Sequence, residues 1–261
     1  MAVYTVALGK GGAGKTTTAA ELAYHLAVRQ GRRVLAVDLD QQRNLSTRLG
    51  VTPDTELAVA GDRVLVAADV VMGECGPEDA AIEAPSLPGV HVLVGTHDLT
   101  QVEASPPPDL VTSLRDVLPA SSGRYDDIVI DTPPSLGGLT LAGLAAADVV
   151  VVPVAMEGEA FDQVGRLEQV ITHTLARRVR PGLHIGWIVP TRYDGRQRLP
   201  REMVELLTEQ YPRRVTTPVR EATVVRDAYL AGQTVSSYRP HSNPAADYAA
   251  ACDAITGKEP R

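Results

Sequence analysis

One segment of this sequence restricts the possible folds more than any other: a glycine-rich turn between an apolar run and a helical pattern. Residues 9–16 read GKGGAGKT and fit the spacing G-x-x-x-x-G-K-S/T. The apolar, β-rich residues 3–8 predict a buried strand before the turn, and the apolar spacing of residues 16–30 predicts a helix after it. A glycine turn that only joins a strand to a helix is the alternative. The three features together favour a phosphate-binding loop.

The composition of this loop explains why it would bind phosphate. Glycines lack a Cβ atom, so successive backbone N–H groups can surround phosphate oxygens, and the following helix points its positive end at the same anion. We expect Lys15 to neutralise the β- and γ-phosphates of a nucleotide and the Thr16 hydroxyl to bind Mg²⁺. The loop residues that precede this pair are Gly11, Gly12, Ala13 and Gly14.

The rest of the chain alternates between apolar runs and helical patterns. The predicted strands cover residues 34–37, 90–94, 128–130, 149–152 and 185–189. The predicted helices cover residues 110–118, 139–146, 160–176, 200–210 and 245–255. Continuous apolar runs are typical of parallel strands that helices cover on both faces. The alternation predicts an α/β fold with a doubly wound, mostly parallel sheet flanked by helices, in a single P-loop domain over residues 1–261.

Carboxylates follow two of the predicted strands. Asp131 comes directly after residues 128–130, and the run VLAVDLD places Asp38 and Asp40 at the end of residues 34–37. If that strand continues, the side chains of Asp38 and Asp40 point to the same side, near the edge where open α/β sheets bind ligands. Aspartates at strand ends also cap helices. Next to a phosphate loop, we interpret these carboxylates as partners of the metal ion.

The charge of the chain is unevenly distributed. The net charge is −7, from 25 basic and 32 acidic residues, which taken alone argues against a nucleic-acid partner. Residues 51–125 carry a net charge of −9, whereas residues 177–226 carry 11 arginines and 5 acidic residues, a net charge of +6. The basic region 177–226 permits an anionic partner at one end of an acidic protein. Exposed helices solvated by charges of both signs are the alternative.

Several other classes of protein do not fit this sequence. The two cysteines, Cys75 and Cys252, lie far apart without a CxxC pattern, and the six histidines form no metal-ligand motif, which argues against a disulfide scaffold or a zinc site. The N-terminus has no signal-peptide pattern, and the longest apolar run is too short to cross a membrane. Aromatic residues make up 4%, so stacking on single-stranded bases is not supported. We expect a cytoplasmic protein.

The motifs together resemble one family. Residues 10–16 are similar to the deviant Walker A loop of the ParA/MinD ATPases, which is marked by an extra lysine, here Lys10. Residues 37–40 and 125–136 resemble the switch elements of that family, and the resemblance covers most of the chain, with residues 51–89 the vaguest. The sequence departs from the family where Gln41-Gln42-Arg43-Asn44 follows Asp40, since relatives often have Pro-Gln-Gly-Asn there.

This resemblance implies a Mg²⁺-dependent ATPase that forms a homodimer in the ATP state. Two protomers would enclose the nucleotides, and Lys10 of each would reach the phosphates bound by the other. Asp40 would position the attacking water, while Asp38 and Asp131 would hold the hydration shell of Mg²⁺. Thr17 would lie near the α-phosphate. A site that is completed only by dimerisation can act as a switch.

Within the family, the sequence favours the ParA-type partition ATPases. The resemblance implies that the ATP dimer binds nonspecific double-stranded DNA through the basic region, with Arg196, Arg220 and Arg226 as the favoured contacts. Surface ion pairs are the alternative for each of these arginines. A ParB-like centromere-binding protein would stimulate hydrolysis, and the ATPase would segregate a plasmid or a chromosome on the nucleoid.

The remaining alternatives concern the cargo and the reaction. The C-terminal helix at 245–255 is alanine-rich and acidic, with only Lys258 and Arg261 beyond it, so binding to a membrane is not expected. No operator-reading helix-turn-helix domain is expected before the first strand. The other candidates are a related ATPase that positions a protein cargo, a metabolic P-loop synthetase and a scaffold that binds ATP without hydrolysis. Lys10 argues against the synthetase, which needs no lysine from a second protomer.

Overall fold

The apolar runs of the sequence pack side by side as strands of a parallel sheet in the computed structural model, which describes residues 1–257. Within this part of the chain the strands are β1 (Ala2–Val6), β2 (Val34–Asp38), β3 (Val59–Ala60), β4 (Arg63–Val64), β5 (Ile82–Glu83), β6 (Val90–Leu93), β7 (Asp127–Asp131), β8 (Val149–Ala155) and β9 (Ile185–Thr191). Seven of them form one sheet in the order β5-β6-β2-β7-β1-β8-β9, and β3 and β4 form a separate hairpin. Every pair in the large sheet is parallel except β5–β6.

Helices cover both faces of this sheet, which confirms the predicted doubly wound α/β fold in a single domain. The α-helices of the described chain are α1 (Lys15–Tyr24), α2 (Asn44–Arg48), α3 (Ala67–Val71), α4 (Pro77–Ala80), α5 (Asp98–Ala104), α6 (Leu110–Val117), α7 (Gly138–Ala146), α8 (Ala160–Val170), α9 (Arg198–Gln210), α10 (Val224–Leu230), α11 (Val235–Tyr238) and α12 (Asn243–Ile255). Helices α1 and α8 continue as π-helical turns, and a 3₁₀ turn follows α6.

The strand register determines where the functional residues lie. Asp38 is opposite Asp131 in the pairing of β2 with β7, and Val6 is opposite Asp131 in the pairing of β1 with β7. All five residues of β2 and all five of β7 are buried, as expected for central parallel strands. The last residues of three adjacent strands therefore meet at one point of the carboxyl edge, where the glycine-rich loop begins.

The elements that the sequence did not predict are short and lie in two segments. The first includes α2 to α5 and the β3–β4 hairpin, where Leu65, Val70 and Leu99 add to the core on one face of the sheet. The second includes α10 and α11. Glu21 of α1 is buried, and its carboxylate accepts hydrogen bonds from the backbone N–H groups of Val235 and Ser236 and from the Ser236 hydroxyl. This carboxylate fixes α11 to α1.

The C-terminal helix packs on the core. Tyr248, Ala251 and Ile255 of α12 are buried in the cluster that also contains Leu22 and Leu26. Among residues 1–257, no helix is long and apolar enough to cross a membrane. Lys258 and Arg261, which the sequence places after α12, lie outside the described residues.

Arg43 has an unusual backbone conformation. Its φ of 56° lies in the left-handed region, where it precedes α2. A side chain with a Cβ is disfavoured there by about 1–2 kcal/mol relative to glycine. This position is the third after Asp40, where relatives often have glycine, so the backbone conformation accounts for that preference.

We therefore expect Arg43→Gly to raise the free energy of unfolding by about 1 kcal/mol, because the strain is released and part of the gain is offset by chain entropy. Urea unfolding at constant m-value measures this shift. The control is Gln42→Gly, since Gln42 is outside the left-handed region and should be slightly destabilised by the same change. Equal losses in both variants would show that Arg43 is not strained.

Candidate nucleotide and metal site

The glycine-rich loop has the backbone conformation that a phosphate cradle requires. Gly12 and Gly14 have φ values of 79° and 91°, which L side chains rarely adopt. Gly14 caps α1, so the free N–H groups of the first helical turn face the loop. The Thr191 hydroxyl at the end of β9 donates to the Ala13 carbonyl oxygen at 2.8 Å. The loop is therefore tied to the sheet before any ligand binds.

Lys15 is held across this loop. Its side chain is buried, and Nζ donates to the Lys10 carbonyl oxygen at 2.9 Å. Burial lowers the pKa of Lys15, while the negative charges of Asp131 and Asp40 raise it in part. An ammonium group that is already desolvated and positioned interacts strongly with an incoming phosphate.

Asp38 lies beneath the loop, and α2 is attached to it. The carboxylate is fully buried and accepts hydrogen bonds from the Ser46 backbone N–H at 2.8 Å and the Ser46 hydroxyl at 2.7 Å. Burial raises the pKa of Asp38 to about 6, and the two hydrogen bonds from Ser46 oppose this rise. Asp38 therefore supports the site and holds the start of α2.

Asp131 is the carboxylate best suited to a cation. It is fully buried, and within residues 1–257 neither carboxylate oxygen has a hydrogen-bond partner at normal distance. Burial and the neighbouring charge of Asp38 raise the pKa of Asp131 well above its usual value, whereas Thr16 and Lys15 lower it in part. Unpartnered carboxylate oxygens next to a threonine hydroxyl fit the oxygen ligands that Mg²⁺ prefers. Thr16, Asp38 and Asp131 would thus hold the ion and its waters.

Asp40 does not extend the strand, contrary to the conditional expectation. Strand β2 ends at Asp38, and the chain turns so that the Asp40 backbone N–H donates to Asp38 Oδ1 at 3.2 Å. Asp40 Oδ1 accepts a hydrogen bond from the Gln42 N–H at 3.0 Å. The turn separates two roles, since Asp38 is enclosed and Asp40 lines an open cavity together with Lys15 and Thr16.

Two cavities adjoin the loop. One, of about 410 Å³, is lined by the loop residues, Asp40 and the switch segment after it, and the other, of about 320 Å³, lies between α1, the end of β9 and α10. Residues that line both are Gly12, Gly14, Thr17, Arg48 and Tyr229. Their combined size is within the range of small-molecule sites. The cavity beside Lys15 suits the phosphates, and the other suits the nucleoside.

Lys10 is bound within its own chain. Its Nζ lies 3.3 Å from Glu159 Oε2 and 3.6 Å from Glu157 Oε2, and 36% of the side chain is exposed. The ammonium group faces these two carboxylates, which both follow β8. To reach the nucleotide of a neighbouring protomer, Lys10 must first break its ion pairs with Glu157 and Glu159.

The structure distinguishes the three arginines favoured as DNA contacts. Arg196 is 91% exposed and pairs with Asp194 at 2.9 Å, and Arg220 forms a two-pronged pair with Asp247 at 2.7 and 2.8 Å. Arg226 of α10 is exposed, and its guanidinium group has no carboxylate partner within the described residues. Arg220 and Arg226 also line the nucleoside cavity. Arg226, whose guanidinium group has no carboxylate partner among residues 1–257, therefore lies next to the candidate nucleotide site.

Sequence reasoning missed several residues of the site. Ser46, Thr191, Arg48 and Tyr229 hold or line it without belonging to a motif, and Asn44, which ends the segment after Asp40 that differs from the family, has no predicted role. Asn44 and Tyr229 are 185 positions apart, and only the fold brings them into hydrogen-bond contact. Ser46 lies shortly after the strand end that carries Asp38 and Asp40, so the sequence could have suggested it as a site residue. Its spacing from these aspartates, however, indicates no specific role.

Comparison with known proteins agrees with this geometry. A family model described as an AAA domain matches residues 1–185. The chromosome-partitioning ATPase Soj of Thermus thermophilus is 37% identical over 242 residues, which cover 92% of this chain and 89% of that protein. The chromosome partitioning protein ParA of Caulobacter vibrioides is 38% identical over 207 residues, or 78% of this chain and 74% of that protein. The chain belongs to the ParA/MinD family of P-loop ATPases.

A solved structure supports the same assignment of this ParA/MinD-type ATPase. Cobyrinic acid a,c-diamide synthase from Mycobacterium smegmatis, with bound ADP and magnesium, has a TM-score of 0.79 and 31% identity. The match covers 98% of this chain and 94% of that one. A nucleotide and magnesium on the same fold agree with the predicted cofactors, ATP and Mg²⁺.

The unpartnered carboxylate of Asp131 leads to a prediction. Asp131→Asn should stabilise the nucleotide-free protein by about 1–3 kcal/mol, because a fully buried carboxyl group whose charged form is disfavoured by burial and by Asp38 is replaced by a neutral amide. The same change should reduce the extra stability gained from ATP and Mg²⁺, since one cation partner is lost. Thermal unfolding with and without both ligands measures the two effects. Asp54→Asn, at an exposed position, is the control. An unchanged gain from ATP and Mg²⁺ would exclude Asp131 from the metal site.

Proposed function

We propose that this chain is a ParA-type ATPase that segregates DNA, either a plasmid or a chromosome, together with a ParB-like centromere-binding partner. The observation that carries the proposal is the shared cavity: Arg220 and Arg226 of the basic region line the space that also reaches the nucleotide loop. Binding of the nucleotide and binding of DNA can therefore depend on the same residues, Arg220 and Arg226. The partition ATPases among the relatives support the same function.

Hydrolysis is assigned to the residues at the carboxyl edge of the sheet. Lys15 binds the β- and γ-phosphates, and Thr16, Asp38 and Asp131 hold Mg²⁺ through oxygen atoms and water. When bound, Mg²⁺ would supply positive charge that offsets the charge of the phosphates. Asp40 orients the attacking water and accepts its proton, because its side chain, although buried, lines the cavity beside Lys15. The products are ADP and phosphate.

Dimerisation in the ATP state completes the site. Lys10 leaves Glu157 and Glu159 and neutralises phosphate charge on the partner's nucleotide, while the remaining loop contacts stay within one protomer. The residues that contact the nucleotide are Gly11, Gly12, Ala13, Gly14, Lys15, Thr16 and Thr17. Because the surface ion pairs of Lys10 are weak, a triphosphate can compete with them.

DNA binding follows from the arginines of the basic region 177–226. Arg226 supplies a free cation, whereas Arg196 and Arg220 must exchange an aspartate for a phosphate. Two copies of this surface in one dimer add their contacts, so that a modest patch suffices for nonspecific binding. The dimer would then associate with the nucleoid in the cytoplasm, and a ParB-like partner would stimulate hydrolysis and release it.

A second candidate function is an amide-forming synthetase, because the M. smegmatis structure carries that name. A third is an ATPase of the same family that moves a protein cargo. Hydrolysis measured with duplex DNA, with a basic partner peptide and with both discriminates among them. A partition ATPase responds to DNA and partner together, a synthetase requires a small-molecule acceptor, and a cargo ATPase responds to a protein alone. A scaffold without hydrolysis shows no turnover under any of these conditions.

Asp40→Ala should reduce the hydrolysis rate by about 100-fold or more, because the water loses its base, and should leave ATP binding intact. The ATP dimer should then remain on DNA. Phosphate release and DNA retention in the same preparation measure both effects. Asp54→Ala changes an exposed aspartate of the following loop and should behave like the wild type. Normal hydrolysis by Asp40→Ala would refute its assignment.

Arg226→Ala should weaken binding to all duplex sequences and flatten its salt dependence. Loss of one phosphate contact per protomer reduces the slope of log K against log salt by about 1, or about 2 for the dimer. Fluorescence anisotropy over a salt series measures the slope. Arg166→Ala removes an exposed arginine of α8 outside the basic region and should leave the slope unchanged. If both variants keep the wild-type slope, Arg226 does not contact DNA.

A further inference from the structure

The helix that carries Arg226 is attached to the segment that follows the nucleotide-site aspartates. The Tyr229 hydroxyl of α10 donates to Asn44 Oδ1 of α2 at 2.8 Å. The Arg48 guanidinium of α2 lies over the Tyr229 ring, 5.0 Å from its centroid, and reaches the Val225 carbonyl oxygen of α10 at 3.5 Å. Two residues of α2 thus hold two positions of α10.

Helix α2 is in turn attached to the candidate metal site. Both hydrogen bonds from Ser46 end on Asp38, and Asp38 is the register partner of Asp131. A cation held by these carboxylates competes with Ser46 for the oxygens of Asp38. A cation at these carboxylates would therefore act on the two hydrogen bonds to Asp38 Oδ2 that hold α2.

Tyr229 also lies where the two halves of the nucleotide site meet. It lines the cavity beside Lys15 as well as the cavity between β9 and α10. A bound nucleotide that fills both cavities passes this side chain. The ring thus contacts α2 on one side and borders the ligand space on the other.

We propose that Tyr229 is a positioning residue that transmits the state of the nucleotide site to α10 and its Arg226. Ligand binding at Asp38 and Asp131 shifts α2 through Ser46, and Asn44 and Arg48 carry the shift to α10 through Tyr229. The proposal rests on the proposed function for its effect on DNA. The movement of α10 itself does not depend on DNA.

The test is Tyr229→Phe, which removes the hydroxyl group and keeps the ring under Arg48. Hydrogen–deuterium exchange of α10 is compared with and without ATP and Mg²⁺. We expect exchange in wild-type α10 to change with the nucleotide, and this change to shrink by at least half in Tyr229→Phe. The preference of the ATP form over the nucleotide-free form for duplex DNA should fall about three- to tenfold, the range expected for one hydrogen bond.

Two further variants sharpen the test. Tyr238→Phe removes the hydroxyl of a partly exposed tyrosine that makes no hydrogen bond within residues 1–257, and should behave like the wild type. Ser46→Ala should reduce the exchange response as Tyr229→Phe does, and the double variant should lose little more, because the two lie on one path. Protection caused by dimerisation alone is common to all variants.

The outcomes separate this inference from the proposed function. If α10 exchange does not respond to ATP and Mg²⁺, or if Tyr229→Phe responds as strongly as the wild type, the inference is wrong. Additive effects of Ser46→Ala and Tyr229→Phe would also overturn it. If the wild-type ATP form does not bind duplex DNA while α10 still responds through Tyr229, the DNA function fails and the inference stands.

Discussion

Two carboxylates buried side by side at the carboxyl edge of the sheet are the constraint on which the candidate nucleotide site depends. Asp38 and Asp131 are register partners on central strands, and water cannot solvate either of them. The strand pairing fixes their proximity, so the charge of Asp38 adds to burial in raising the pKa of Asp131. A cation at this point would stabilise the charged form of both carboxylates, so the strand register itself would favour the cation-bound state.

Asp38 and Asp131 differ in their hydrogen bonds, so a bound cation would affect the two carboxylates differently. Asp38 accepts hydrogen bonds from Ser46 and Asp40, whereas Asp131 has unpartnered oxygens within the described chain. A cation that binds Asp131 would displace no hydrogen bond of normal distance within the described chain. At Asp38 it competes with the bonds that anchor α2. Cation binding would therefore affect α2 through Asp38 and stability through Asp131.

The parts of this structure that follow from local pattern could be predicted, and the parts that depend on distant contacts could not. Continuous apolar runs identified the strands of the parallel core, because burial on both faces leaves few polar positions, such as Thr5, Asp127 and the strand-end carboxylates Asp38 and Asp131. The short helix α2 and the departure of Asp40 from β2 have no periodic signal, since a turn of three or four residues decides them. Arg196 pairs with Asp194 two positions away, a contact visible in the sequence, whereas the pairing of Arg220 with Asp247 requires the folded chain.

The same reasoning explains why net charge alone misleads about the basic region. Carboxylates of residues 1–257 pair with five of its eleven arginines, Arg180, Arg192, Arg196, Arg198 and Arg220, so the formal excess of +6 does not say which arginines are available to an anion. The place of each arginine in the fold therefore matters more for anion binding than the net charge of the region. Helix α10 has only seven residues and depends on tertiary contacts for its order. A free arginine on such a helix is available to an anion only when those contacts hold it in place, and in this fold they come from Asn44 and Arg48 of α2 and from the buried cluster of Ala228 with Val235 and Ala245.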